Sequence, residues 1–333
     1  MRATWILLPL VLAAVLATGT GRAATPASAG TARANEEGVR CTTIDVDGIK
    51  VFYRESGQPS LPMLVLLHGN PSSSFMFRDL MPRLSQHFHV IAPDYPGFGY
   101  SDVPPTEQYP YTFDHLAQTI DAFLNKLGAR RYILYMQDYG GPVGFRIATA
   151  HPDRVEGIVI QNANAYEEGL APEWKAELDK QRQEATTRKE PVVARHKPTS
   201  AFAENVKWTR SMYVTGARDP LIMTPDGYTF DAAMLSRPGQ DDVQNALSSN
   251  YYTNVDMYPV WQQWMRTQKP RALIVWGQGD RIFAAPAAKA YQRDLPQAKL
   301  VFFNGGHFLL EEYAPDVAKE IIQTFSASRQ SHP

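Results

Sequence analysis

The chain has 333 residues, 44% of them hydrophobic and 20% charged, the balance of a globular protein with enough chain for one large core carrying an insertion or for two ordinary domains. Its formal net charge of −1 gives neither a basic footprint for nucleic acid nor an acidic tail, and a small neutral ligand suits it better than a polyanion. A single cysteine, Cys41, excludes an internal disulfide, and without a neighbouring histidine in sequence it reads as a buried or inert thiol.

The first residues read apart from the rest. Arg2 gives a positive start, residues 5–16 form an apolar run, and the small residues Ala17, Gly19, Gly21, Ala23 and Ala24 come next. This layout predicts a secretory signal peptide over residues 1–23 and an exported protein, periplasmic or secreted. The run is shorter than the roughly 20 apolar residues a membrane span needs, so no stable anchor is expected after cleavage. Residues 24–38, rich in Ala, Ser, Thr and Gly, read as a flexible N-terminus.

Strands are expected at 42–46, 50–53, 63–67, 88–92, 132–136, 157–160, 272–275 and 300–303, with helical patterns such as 113–127 and 143–150 between the later ones. Opening strands that look antiparallel, followed by strand–helix–strand units, imply a mostly parallel sheet with helices on both faces. His87 and His89 would share one face of the fourth strand; no further ligand lies near them in sequence, so packing rather than metal is the reading. From 164 to 256 no strand is evident. That stretch carries charged helical segments and the aromatics Trp174, Trp208, Tyr213, Tyr228, Tyr251 and Tyr252. An insertion returning to a strand near 272 reads as a helical cap over the strand ends, where open α/β sheets bind ligands. The expected organisation is a core of 39–163 and 257–333 with a cap of 164–256.

The strongest chemical signal is the run Tyr135-Met-Gln-Asp138-Tyr-Gly140-Gly141-Pro-Val-Gly144. A strand ends at Asp138, and glycines and a helix come at once after it, the context of a sharp turn that lifts one side chain above a sheet. Asp138 could equally cap the next helix. In hydrolases of this architecture the residue after a strand-ending His-Gly and the residue after the nucleophile supply backbone N–H groups to an oxyanion; here these are Asn70, in Leu66-Leu67-His68-Gly69-Asn70-Pro71, and Tyr139. Further on, strand ends lead to Asp280 in Trp276-Gly-Gln-Gly-Asp280 and to His307 in Gly305-Gly306-His307. The order Asp138, Asp280, His307 is that of nucleophile, acid and base in the same architecture.

His68-Gly-Asn-Pro71, Asp94-Tyr-Pro-Gly-Phe-Gly99-Tyr-Ser-Asp102, Gln137-Asp138, Asp280 and Gly306-His307 together resemble the epoxide hydrolase and haloalkane dehalogenase branch of the α/β-hydrolase superfamily. The resemblance covers roughly residues 38–326 and implies an α/β-hydrolase fold: a mostly parallel eight-stranded sheet with an inserted helical cap. It implies no metal and no cofactor. A carboxylate is ionised at neutral pH and suits attack on a saturated carbon, giving an alkyl ester that His307, oriented by Asp280, would hydrolyse with water. An epoxide needs a proton donor for its ring oxygen, which cap tyrosines supply in epoxide hydrolases; Tyr213, Tyr251 and Tyr252, with Tyr228, are the candidates, and Trp208 or Trp174 could assist a leaving group. Dehalogenases of this branch place Trp directly after the nucleophile. Here Tyr139 stands at that position, although Asn70 fits their pattern. The expected activity is therefore epoxide hydrolysis to a diol on a small apolar or weakly polar substrate, with haloalkane dehalogenation as the alternative and a non-catalytic ligand-binding protein of the same fold as a further one.

Overall fold

Continuous apolar runs place the centre of the molecule. The computed structural model describes residues 38–187 and 201–326, so the expected signal peptide at 1–23 and nearly all of 24–38 lie outside the described residues. Eight strands form one sheet: β1 (Arg40–Val46), β2 (Ile49–Ser56), β3 (Met63–Leu67), β4 (His89–Pro93), β5 (Tyr132–Gln137), β6 (Val155–Gln161), β7 (Arg271–Gly277) and β8 (Lys299–Phe303). Their spatial order is β1-β2-β4-β3-β5-β6-β7-β8. Only β2 runs against its neighbours, pairing antiparallel with β1 and β4, and the ladder from β4 to β8 is parallel. Strands β4, β5 and most of β3, β6 and β7 are buried on both faces, which is why they read as unbroken apolar runs rather than alternating ones. β1 is an edge strand with a largely exposed, polar sequence.

Helices cover both faces: α1 (Met81–Leu84), α2 (Phe113–Lys126), α3 (Gly140–Ala150), and, after the insertion, α9 (Pro286–Asp294) and α10 (Leu310–Phe325). One core layer joins the sheet to α2, α3 and α9, the other to α1 and α10. Between β6 and β7 the described residues hold no strand, only α4 (Pro172–Thr187), α5 (Phe202–Val214), α6 (Pro225–Leu235), α7 (Gln240–Asn250) and α8 (Tyr252–Gln268), besides one short 3-10 turn. α8 runs through residue 257 and ends where Lys269 turns into the left-handed region, φ +46°, before β7.

Buried Arg146 ties this helical layer to the core. From α3 it donates to Asp114 on α2 at 2.5 Å and to Asn254 on α8 at 2.7 Å. Main chain supplies a second tie. The turn after α5 packs so closely on the loops after β7 and β8 that a methyl added at Gly216 would lie 1.8 Å from the Gly279 carbonyl oxygen, and one at Gly306 2.5 Å from that of Thr215. Glu312 of α10 closes this seam by accepting from the backbone N–H groups of Arg218 and Asp219, each at 3.2 Å.

Two expectations change. β4 starts at His89, because the turn after α1 is still closing when Leu84 O accepts from the His87 and Phe88 amides. His87 is therefore exposed outside the strand, and His89 faces Glu55 at 2.7 Å. Cys41 is exposed rather than buried, since it lies on the edge strand β1, where Arg54 Nη1 donates to its Sγ at 3.4 Å. Among the described residues no group of three or more His, Cys, Asp or Glu could hold a metal ion.

Candidate active site

Asp138 comes directly after β5 and has φ +49°, a left-handed conformation uncommon for a residue with a side chain and costly by about 1–3 kcal/mol. The tight seating of α3 forces the turn. Gly140 opens α3 so close to β3 that a methyl there would lie 2.2 Å from the Leu67 carbonyl oxygen. The result is a sharp strand-to-helix corner with the Asp138 carboxylate, 5% exposed, at the carboxyl end of the sheet.

One carboxylate oxygen is held. Asn70 N–H donates to Asp138 Oδ1 at 2.7 Å, and the Tyr139 N–H also hydrogen-bonds the carboxylate. Burial pushes the Asp138 carboxyl up from the ordinary range, while the neighbouring His307 and these two amides pull it back down. The Asn70 loop is rigid for local reasons. His68 donates from Nδ1 to Gly69 O at 2.9 Å, accepts at Nε2 from Tyr95 N–H at 3.2 Å, and stacks on the Tyr95 ring. Its burial pushes its pKa down to about 3, so it is a neutral structural ring. Asp94, also buried, accepts from Ser74 N–H at 2.7 Å and Tyr100 N–H at 2.8 Å and pins the loop of residues 96–101 beside it.

The other oxygen, Oδ2, faces His307 Nε2 at 3.6 Å. On the far side of the ring, His307 Nδ1 donates to Asp280 Oδ2 at 2.9 Å. Asp280 is fixed in turn: Asn162 Nδ2 donates to Oδ2 at 2.7 Å, and the Ile282 and Phe283 amides donate to Oδ1 at 2.7 and 3.2 Å. Burial acts to lower the His307 pKa, but the Asp280 charge, its hydrogen bond and the Asp138 charge together outweigh it, and the ring sits above the ordinary histidine range. Gln137 Nε2 approaches His307 Nε2 at 3.1 Å. The three residues expected from sequence thus meet, 1–6% exposed, with the Asn70 and Tyr139 amides beside them.

The cap candidates divide. Tyr251, at the joint of α7 and α8, is buried against Tyr139, Phe113 and Trp174, with ring centroids 6.0, 5.7 and 4.9 Å away. The Asp138 charge reaches it and contributes to holding its phenol well above the ordinary range, behind burial and Tyr258. Its hydroxyl meets that of Tyr258, which accepts from Asn164 Nδ2 at 3.1 Å. Tyr213 instead stacks on Phe308 at 3.8 Å and gives its hydroxyl to buried Asp231 at 2.6 Å. Tyr228 packs edge-on against Tyr213 at 6.0 Å. Trp208 on α5 and Tyr252 at the start of α8 are part-buried, and neither takes part in the ring contacts around Asp138. Asn162, Asn164 and Tyr258 were not singled out from sequence, and Gln137 entered only in the Gln137-Asp138 motif, with no role of its own. Three of them stand at or just past the ends of β5 and β6, and the tendency of such sheets to carry their sites at those ends could have flagged them.

A carboxylate bonded by two amides with one oxygen facing an imidazole can attack carbon, and the imidazole, its far nitrogen held by a second carboxylate, can then activate water. Residues 62–314 match the family model described as alpha/beta hydrolase fold. Among curated proteins the chain is similar to an uncharacterized hydrolase of Saccharomyces cerevisiae, 40% identical over 280 residues, 84% of this chain and 94% of the yeast protein. It is also similar to a haloalkane dehalogenase of Psychrobacter cryohalolentis, 27% identical over 288 residues, 83% of this chain and 87% of that protein. Among solved structures the epoxide hydrolase CorEH superposes with a TM-score of 0.67 at 20% identity, covering 87% of this chain and 100% of that one, a likeness of fold.

Proposed function

The chain belongs to the alpha/beta hydrolase family, and we propose that it hydrolyses small epoxides to diols through a covalent alkyl ester on Asp138. The observation that carries this reading is the aspartate at the corner after β5, its carboxylate bonded by the Asn70 and Tyr139 amides, with Asn70 N–H on Oδ1 and Oδ2 facing His307. Oδ2 attacks a ring carbon, the C–O bond breaks, and the electron pair stays on the ring oxygen. That alkoxide is more basic than any phenol, so it takes the Tyr251 proton even though burial raises the phenol. Tyr258, itself hydrogen-bonded by Asn164, accepts from the Tyr251 hydroxyl in the free protein and holds it in place until that proton is given up.

In the second step water attacks the Asp138 carbonyl carbon and gives its proton to His307 Nε2 while Asp280 stabilises the cation that forms. The oxyanion develops on Asp138 itself, beside the Asn70 and Tyr139 amides that already bond the carboxylate, and such donors are worth about 3 kcal/mol each. The departing alkoxide takes the His307 proton to complete the diol, and the proton left on the Asp138 carboxyl from the attacking water returns to the Tyr251 phenolate, restoring both the carboxylate and the phenol. An ester substrate suits this site poorly, because attack by Asp138 would give an anhydride.

Haloalkane dehalogenation is the second reading, favoured by Asn70, whose backbone N–H reaches Asp138 and whose carboxamide oxygen is buried without a hydrogen-bond partner. The Tyr139 side chain counts against it, because a phenol lacks the reach of an indole N–H toward a leaving halide. Simple ligand binding is the third, and turnover of any compound in the screen below would exclude it. Water is the only co-substrate in this reading, the substrate is apolar or weakly polar, no nucleic acid takes part, and the protein acts after export.

The test is a screen of purified protein with small epoxides, haloalkanes and esters, read as diol, halide and acid release, followed by mass spectrometry of the His307→Gln variant with a substrate the wild type turns over. A stoichiometric adduct on Asp138 supports the covalent route. A folded, unmodified variant refutes it.

A further inference from the structure

Gln137 is the last residue of β5 and is fully buried. Its Nε2 lies 3.1 Å from His307 Nε2, the ring nitrogen opposite the one that Asp280 holds. Since Nδ1 carries the proton donated to Asp280, Nε2 is the acceptor and the carboxamide N–H the donor. The Gln137 Oε1 is buried without a hydrogen-bond partner, packed where Gly69 leaves room for it. A primary amide carries a donor and an acceptor on one plane, and half a turn about its last side-chain torsion exchanges them.

The ring needs both in sequence. While neutral, its Nε2 lone pair takes an N–H. Once it has accepted a proton from water, Nε2–H needs an acceptor in a site that excludes solvent. In the free protein the Asp138 carboxylate is its ionic partner there, with Oδ2 3.6 Å away. Once Asp138 is esterified it has no charge to offer. The charged groups acting on the ring are Asp280, from the loop after β7, and Asp138, from the end of β5, so esterification leaves Nε2 without an ionic partner.

We propose that Gln137 is a positioning residue for ester hydrolysis, its carboxamide turning over to accept from the His307 imidazolium that forms as water attacks the Asp138 ester. This rests on the covalent route above. In the step itself the water oxygen bonds to Asp138 Cγ, one of its protons passes to His307 Nε2, the ester C–O bond breaks, the departing alkoxide takes that proton, and the second water proton, left on the Asp138 carboxyl, returns to the Tyr251 phenolate. Gln137 neither gains nor loses one.

The test uses Gln137→Met, similar in length but without the amide, and Gln137→Glu, which keeps an acceptor oxygen. In single-turnover experiments Gln137→Met forms the ester within about threefold of the wild-type rate but hydrolyses it about 10- to 100-fold more slowly, so the adduct accumulates. Gln137→Glu hydrolyses it faster than Gln137→Met does. A nitrogen-detected NMR titration gives a readout that needs no substrate. In free Gln137→Met the neutral ring loses its donor while Asp138 still holds the charged form, so the His307 midpoint rises. Hydrolysis at the wild-type rate, equal slowing of both steps, a Glu variant as slow as Met, or an unmoved midpoint would each overturn the proposal. Failure of the covalent route is read separately, as the absence of any adduct in His307→Gln.

Discussion

Asn162 Nδ2 donates at 2.7 Å to the same Asp280 oxygen that holds His307, so one carboxylate oxygen serves two donors. Asn162 itself sits at φ +45°, and its Oδ1 accepts from Gly277 N–H at 3.2 Å, which makes it a clamp between β6 and β7. The Asp280→Asn variant keeps the shape and loses the charge. It should cut the ester hydrolysis rate by about 10³-fold or more, with ester formation affected far less. Asn162→Gly relieves the backbone and removes the clamp, and a loss of about tenfold in hydrolysis alone is expected. Rapid-quench measurement of the two steps checks both variants, and equal losses in both steps would contradict the assignment.

The His307 titration should report on Asp138. Burial lowers its pKa, and the Asp280 and Asp138 charges raise it by more. Removing the Asp138 charge removes one of the raising influences, so Asp138→Asn should move the His307 midpoint down. Ester formation on Asp138 removes the same charge. The ring then becomes a competent neutral base at a lower pH than in the free protein, and the acid limb of ester hydrolysis should lie below the free-protein midpoint. NMR titration of wild type and Asp138→Asn checks the first statement, and the pH dependence of single-turnover hydrolysis the second.

Tyr251 is the cap phenol packed beside Tyr139 and under the influence of Asp138, whereas the Tyr213 hydroxyl is committed to Asp231. Tyr251→Phe should slow epoxide opening by about 10²-fold, the range of a general acid, and leave hydrolysis of a preformed ester nearly unchanged. Tyr213→Phe should change stability more than either rate. A Tyr213→Phe variant that stays stable and loses ring opening would reverse these two roles.

Asp231 is a buried acid outside the mechanism. Its pKa is pushed up to about 8, chiefly by burial, with the Glu311 charge also raising it and the Tyr213, Ser72 and Arg78 contacts pulling down. An unfolded Asp titrates near its ordinary value, so between roughly pH 4 and 8 the folded state binds the extra proton. Stability from this group is therefore greatest at low pH and falls as pH rises toward 8. Asp231→Asn, neutral at every pH, should melt close to wild type at pH 5 and above it at pH 8.5. Parallel melting curves across that range would mean that Asp231 is ionised in the fold.

The sheet was legible because its central strands are buried on both faces and must be apolar throughout, as in Tyr132–Gln137. The start of β1 at Arg40 was not, since an exposed edge strand imposes no such pattern on its residues. Asp138, Asp280 and His307 stood out because each comes after an apolar run and lies among glycines. Gln137 and Asn162 did not, because an amide at a strand end looks the same in sequence whether it meets a ring nitrogen or water. Periodicity reports which way a side chain faces but not what meets it, and so Tyr213 and Tyr251 could not be told apart until Asp231 and Tyr139 were seen beside them.

The seam of Gly216, Gly279 and Gly306 has a mechanical consequence. There the insertion touches the loops that carry Asp280 and His307 by bare peptide, with no room for a methyl on either side. Two surfaces keyed in this way have no side chains that could stretch or repack to accommodate a small separation. Lifting the insertion would instead strip the packing from both loops at once and leave the acid–base pair without its backing. A bulky residue at any of the three glycines should therefore displace the insertion and disturb both Asp280 and His307 together.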